Sequence, residues 1–149
     1  MPRHPLAVLT LLLAAAACEA PTAPTEGDNL AAARALWAAQ GAPSYSYKVN
    51  RSCECVLGGR LMAVTVRNGA VTSAEYVDSS SPVEAALLTY VLTVPDLFDL
   101  IQDALDRKAA YLAVTYDPMY GYPTRIEVDY SANAVDDEVV MSARELSFQ

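Results

Sequence analysis

At 149 residues the chain fits a single domain, and 18 acidic residues against 10 basic ones give it a net charge of −8. That balance argues against a nucleic-acid partner, which calls for a clustered Lys/Arg face, and against charge-driven adsorption to anionic lipid. The only histidine is His4, so the rest of the chain has neither a Ser-His or Cys-His nucleophile pair nor a histidine-built zinc site.

Residues 1–17 open with Met-Pro-Arg-His-Pro and continue as a Leu/Ala-rich run from Leu6 to Ala17, with Thr10 its only polar residue. A charged start, about a dozen apolar residues and a small-residue end form the pattern of a secretory signal peptide, too short to span a bilayer as a helix. Ala15-Ala16-Ala17-Cys18 resembles the lipobox cut by bacterial lipoprotein signal peptidases, departing from it at Ala15, where a bulky aliphatic residue is usual. The resemblance implies cleavage before Cys18 and a diacylglyceryl thioether plus an amide-linked chain on that cysteine. Two or more chains suffice for stable attachment, whereas one is marginal. The competing reading is an ordinary secreted protein whose cleavage site happens to precede a cysteine. Glu19 follows, not Asp, so the lipoprotein reading expects outer-membrane residence if the organism has such a membrane. Cleavage removes His4 and Arg3 and leaves 132 residues, with nine basic against eighteen acidic, a charge of −9. Residues 18–27 then read as the lipidated cysteine and a flexible tether, and 28–149 as one domain.

Asp28 is placed to cap a helix over about Asn29 to Gln40, with Leu30, Ala33, Leu36 and Trp37 at helical spacing and Gly41 as its stop. Ser44 to Val56 alternates as a half-buried strand, with Tyr45, Tyr47, Val49, Cys53 and Cys55 on one side and Arg51 as the exception there. Gly58-Gly59 and Asn68-Gly69 read as two-residue hairpin turns. Counting back from the first sets Cys55 opposite Met62, Cys53 opposite Val64 and Arg51 opposite Val66. Counting through the second puts Glu75 on the core face. Asp78 to Pro82 reads as a loop and residues 84–92 as a short helix. Thr93 opens the clearest helix, with Asp96 completing a capping box and Val94, Leu97, Phe98, Ile101, Ala104 and Leu105 on one face. Strands follow at about Tyr111 to Tyr116, Thr124 to Tyr130 and Val139 to Phe148. The expected class is α+β: an antiparallel sheet of about six strands with two or three helices, arranged as two similar helix-plus-three-strand halves.

Three regions carry chemistry-bearing residues. With Cys18 lipidated, Cys53 and Cys55 remain as a pair in an oxidising compartment. In an ideal strand their Cα atoms lie about 6.6 Å apart, near the upper limit for a disulfide. The alternatives are a structural or weakly redox-active disulfide, two buried thiols, or a Cu(I) site completed by Met62. The segment Tyr116-Asp117-Pro118-Met119-Tyr120-Gly121-Tyr122-Pro123 reads as a tyrosine-rich loop. Its Tyr116, Asp117, Tyr120, Gly121 and Tyr122 are a candidate binding surface, or alternatively a packed turn. Asp136-Asp137-Glu138, near Asp129, lacks regular calcium-ligand spacing and reads as solvated carboxylates. No catalytic residue is expected, and the favoured reading has no resident metal or other cofactor.

The Trp-bearing helix, Tyr45-x-Tyr47 leading to Cys53-x-Cys55, Val64-x-Val66-x-Asn68-Gly69-x-Val71, Tyr116-Asp117 with Gly121-Tyr122-Pro123, and Asp136-Asp137-Glu138 resemble a family of uncharacterised bacterial lipoprotein domains. The resemblance covers most of residues 30 to 147 and implies no activity. The functional expectation is therefore a membrane-anchored, non-catalytic binding or structural module that meets an envelope protein or ligand. The alternative is a thiol-redox or copper-handling protein centred on Cys53 and Cys55.

Overall fold

The computed structural model describes residues 23–41, 44–134 and 137–149. The leader, Cys18, the tether as far as position 22, and Asp136 lie outside the described residues. Helix α1 (Glu26–Ala39) precedes strands β1 (Tyr45–Ser52), β2 (Leu61–Arg67), β3 (Ala70–Tyr76) and β4 (Ser81–Pro82). A short 3₁₀ helix (Ala85–Tyr90) leads to α2 (Val94–Asp106), and then to β5 (Tyr111–Tyr116), β6 (Pro123–Asp129) and β7 (Val139–Phe148). All seven strands form one antiparallel sheet in the order β4-β3-β2-β1-β7-β6-β5. The strand beyond the expected six is the two-residue β4, formed where Ser81 and Pro82 pair with Tyr76 and Glu75 inside the segment read as a loop.

The two halves are not equivalent. In the first, the opening strand β1 lies at the centre of the sheet; in the second, the closing strand β7 does. The shared order of helix and three strands therefore reflects two meanders that grow outward from, and back towards, a common seam. That seam pairs β1 with β7 over residues far apart in sequence, from Tyr45 opposite Phe148 to Ser52 opposite Val140.

Alternation on each strand sends one row of side chains into a single core. Tyr45, Tyr47 and Val49 of β1, Met62, Val64 and Val66 of β2, Ile126 and Val128 of β6 and Met141 and Ala143 of β7 are all buried. Against them pack Leu30 and Ala33 of α1 and Val94, Leu97, Phe98, Ile101 and Ala104 of α2, the second set at the i, i+3, i+4 spacing of an amphipathic helix. The small residues of α1 let it approach closely, and Trp37 lies edge-on to Tyr45 with ring centroids 5.1 Å apart. The helix begins three residues before the position expected. Thr25 is its N-cap and Asp28 the third residue of a capping box, its carboxylate accepting from the Thr25 backbone N–H at 2.8 Å. The Thr25 hydroxyl, which donates to the same carboxylate, and then that N–H hold the Asp28 carboxyl below its ordinary pKa.

Thr93 and Asp96 cap α2 in the same way, the Asp96 carboxylate accepting from the Thr93 N–H at 2.7 Å. Because Thr93 is itself buried, Thr93→Ala removes an acceptor that water replaces poorly. It is expected to cost about 1 kcal/mol, read as a lower urea midpoint at unchanged slope.

Candidate functional site

The cysteine region departs furthest from a simple strand. Strand β1 stops at Ser52, and Cys53 and Cys55 are joined as a disulfide with their Cα atoms 5.3 Å apart. An extended strand would hold those atoms about 6.6 Å apart, so the backbone has to contract to bring the sulfurs together. It does so with a tight turn in which the Cys55 N–H donates to the Cys53 carbonyl at 2.9 Å. Two further bonds tie the loop down: Gly58 N–H to the Cys55 carbonyl at 3.0 Å, and Gly59 N–H to the Arg51 carbonyl at 2.7 Å. A Cβ on Gly58 would lie 2.3 Å from the Cys53 carbonyl oxygen, so a glycine there is a condition of the turn. Leu57 adopts φ +63° and Gly59 φ +78°. The connection from Cys53 to Arg60 is therefore an eight-residue loop and not the two-residue hairpin read from Gly58-Gly59.

The register moves accordingly. Met62 stands opposite Val49, Val64 opposite Tyr47 and Val66 opposite Tyr45, six residues from the expected pairing with Cys55, Cys53 and Arg51. Met62 sits in the core with 3% exposure, and the pairing that was to bring it to the two sulfurs does not form. With the thiols bonded to each other, the Cu(I) arrangement has lost its geometry. Among the described residues no group of three or more His, Cys, Asp or Glu is placed to hold a metal ion.

Below the disulfide loop opens a cleft of about 490 Å³, lined by Ser52, Cys53, Cys55, Gly58, Glu138 and Val140, with Glu54 also on its wall. It forms because β7 begins beside the last residue of β1, so the curled loop and the start of β7 stand on either side of the sheet's end. Cys55 is exposed and Cys53 half-buried, and the adjacent Val56 has 49% exposure. As a staple this bond does little. A disulfide closing three residues removes roughly 1.6 kcal/mol of unfolded-state entropy in the chain-entropy account, against roughly 4.7 for a 100-residue loop.

The tyrosine segment is a hairpin between β5 and β6, with its rings turned inward. The Asp117 carboxylate accepts from the N–H groups of Met119 and Tyr120 at 2.9 and 2.8 Å, and its carbonyl accepts from Gly121. Tyr122 has 5% exposure. Tyr120 packs edge-on to Phe148 with centroids 5.1 Å apart. The Tyr116 hydroxyl donates to Glu26 at 2.7 Å, tying the hairpin to the first turn of α1; burial, and then that carboxylate, push its phenol pKa well up. Gly121, at φ +78°, lies directly under α1. What the hairpin offers to solvent is chiefly Met119, with 67% exposure. Asp137 and Glu138, the two described residues of the acidic segment, both lie before β7, and Glu138 lines the cleft. Asp129 accepts from the Ser131 N–H at 2.9 Å, so that carboxylate closes a turn.

The sheet face away from the helices was not singled out in the sequence. A shallow groove of about 340 Å³ runs over Ser46, Lys48, Thr65, Ser73, Glu75 and Glu145. The signal was the polar half of each alternating strand, which any antiparallel sheet open to solvent on one side displays.

Residues 29–148 match the family of unknown function DUF6174. The chain belongs to this family. No curated protein and no solved structure matches the chain. The DUF6174 match begins within α1 and ends at the last residue of β7, so it takes in the disulfide loop, the cleft and the tyrosine hairpin together.

Proposed function

We propose that the protein is an exported lipoprotein, anchored by lipid on Cys18, that displays its DUF6174 domain as a binding module. The observation that carries this reading is the cysteine pairing. The bond between Cys53 and Cys55 accounts for two of the three cysteines, and such bonds belong to oxidising compartments outside the cytoplasm. The cysteine left over is Cys18, at the end of a leader-like segment. Thr25 caps the first helix, so six residues separate the anchor from the domain. They reach at most about 25 Å, which holds the module close to the bilayer, within the envelope layer where a partner would be met. Among the described residues no helix is long and apolar enough to cross a membrane.

The partner is an envelope protein or ligand. The tyrosines of the β5–β6 hairpin are committed to packing, so the open sheet face and Met119 are the surfaces this reading favours. The intact mass of the protein extracted from its membrane tests the anchor. The expected mass begins at Cys18 and includes two or three acyl chains, whereas an unlipidated mass would make this a soluble secreted protein.

A further inference from the structure

The disulfide loop carries an inference beyond anchoring and display. Four features coincide there. A disulfide spans only three residues, so it contributes little as a staple. Cys55 is exposed while Cys53 is half-buried. The bond borders an open cleft. Carboxylates line the cleft, Glu54 between the two cysteines and Glu138 just before β7. A bond kept only for stability gains by burial and by closing a long loop, and this one has neither.

We propose that Cys53–Cys55 is a dithiol–disulfide exchange site for a protein dithiol whose rim is uncharged or basic, and that Cys55 is the sulfur attacked. A thiolate of the partner bonds to Cys55 Sγ as the bond to Cys53 breaks; Cys53 leaves with the electron pair and takes a proton from water. The partner's second thiol loses its proton to water and attacks the partner's own sulfur in the mixed disulfide. Cys55 is displaced as a thiolate and is protonated in turn. Two electrons and two protons pass to this chain, which ends as a dithiol, while the partner ends as a disulfide. Cys55 is the attacked atom because in-line approach needs open space behind it, and Cys55 is the more exposed residue of the two. The carboxylates select the partner. At about 7 Å in water each changes the approach energy of a unit charge enough to alter its local concentration about threefold before screening.

The test uses the full chain in its native state. Exchange is followed with two small monothiols of similar size, cysteamine and 3-mercaptopropionate, each rate divided by that thiol's rate with a reference disulfide. The cationic thiol is expected to be favoured by at least about tenfold at low salt, and Glu54→Gln with Glu138→Gln is expected to abolish the preference. A thioredoxin-type protein with its second cysteine changed to serine is expected to accumulate a mixed disulfide mapped by mass to Cys55. The double variant Cys53→Ser with Cys55→Ser is expected to keep the native circular dichroism and a cooperative melt. Reaction only after denaturant is added, or loss of the fold in the double serine variant, would overturn the proposal in favour of a structural bond. A mixed disulfide on Cys53 would overturn the assignment of the attacked sulfur. An unlipidated protein that exchanges normally would sink the anchor and leave this site standing.

Discussion

Gly121→Ala is expected to destabilise the domain by about 3 to 4 kcal/mol, a large share of the roughly 5 to 15 that holds a domain of this size. Two costs combine. At φ +78° an L-residue pays roughly 1 to 2 kcal/mol in the left-handed region. The added Cβ would also lie 2.3 Å from the Ala33 carbonyl oxygen and 2.8 Å from Leu36 Cβ. The first of these is backbone of α1, so no rotamer change relieves it, and either the helix or the hairpin has to move. Gly69→Ala is the control: its φ is +79°, and nothing lies within 4 Å of the position a Cβ would take. It is expected to pay the conformational cost alone. Urea unfolding of both variants gives the difference, and equal midpoints would mean that α1 does not rest on this hairpin.

The close approach of Gly121 to α1 also explains why the hairpin tyrosines are poor candidates for recognition. With Gly121 pressed against the helix, Tyr116 reaches Glu26, Tyr120 reaches Phe148 and Tyr122 turns into the core. Each partner is distant in sequence. Clustering of three tyrosines was visible in the chain, but the side to which they turn depends on where α1 is laid.

Most elements were legible because their signals are local. The amphipathic spacing and the Thr93–Asp96 capping box gave α2, and the alternation gave β5, β6 and β7 to within a residue or so. Register was not, for a specific reason. The pairing of β1 with β2 differs from the expected one by six residues, an even number. An even slip returns every side chain to the same face, so Met62, Val64 and Val66 are buried in either register. Hydrophobic phase alone cannot detect such an error. It arose at the Cys53–Arg60 loop, where the disulfide and positive φ at Leu57 consume residues that a tight turn would have paired. Glu75 shows the opposite case. An odd shift was needed to move it off the core face, and a bulge supplies it: Thr65 pairs with Ser73 and Val66 with Val71, which leaves Thr72 unpaired and turns Ala74 inward. The small side chain at Ala74 beside a charge at Glu75 was the available clue. The seam between β1 and β7, which makes the halves inequivalent and opens the cleft, has no local signal at all.

That seam places two buried phenols from β1 against the start of α2, and alkaline pH is expected to unfold the domain through them. The Tyr45 hydroxyl accepts from the Val94 N–H at 2.8 Å, satisfying a donor of the first helical turn, and the Tyr47 hydroxyl donates to the Leu92 carbonyl. Both residues have 2% exposure. Burial pushes the Tyr45 phenol from about 10 up to about 12, and pushes that of Tyr47 well above its ordinary value. Each group therefore keeps its proton in the folded chain at pH values where the unfolded chain has lost it. The stability it contributes is intact below pH 10 and falls as pH rises from there towards the folded value, by about 1.4 kcal/mol per pH unit for each group. By pH 12 Tyr45 alone removes roughly 2 kcal/mol, and Tyr47 and the raised Tyr116 phenol add to that loss. The urea midpoint is expected to stay level from pH 8 to about 9.5 and then to fall steeply. Tyr45→Phe separates the two roles of that phenol. At pH 8 it leaves the buried Val94 N–H without its acceptor and is expected to cost about 1 to 3 kcal/mol. Above pH 10 it removes one of several titrating phenols, so its decline is expected to be shallower than that of the wild type. Tyr90→Phe, at a residue with 52% exposure, is expected to leave the profile unchanged. A wild-type midpoint that holds to pH 12, or a Tyr45→Phe profile parallel to it, would show that these phenols do not couple the centre of the sheet to α2.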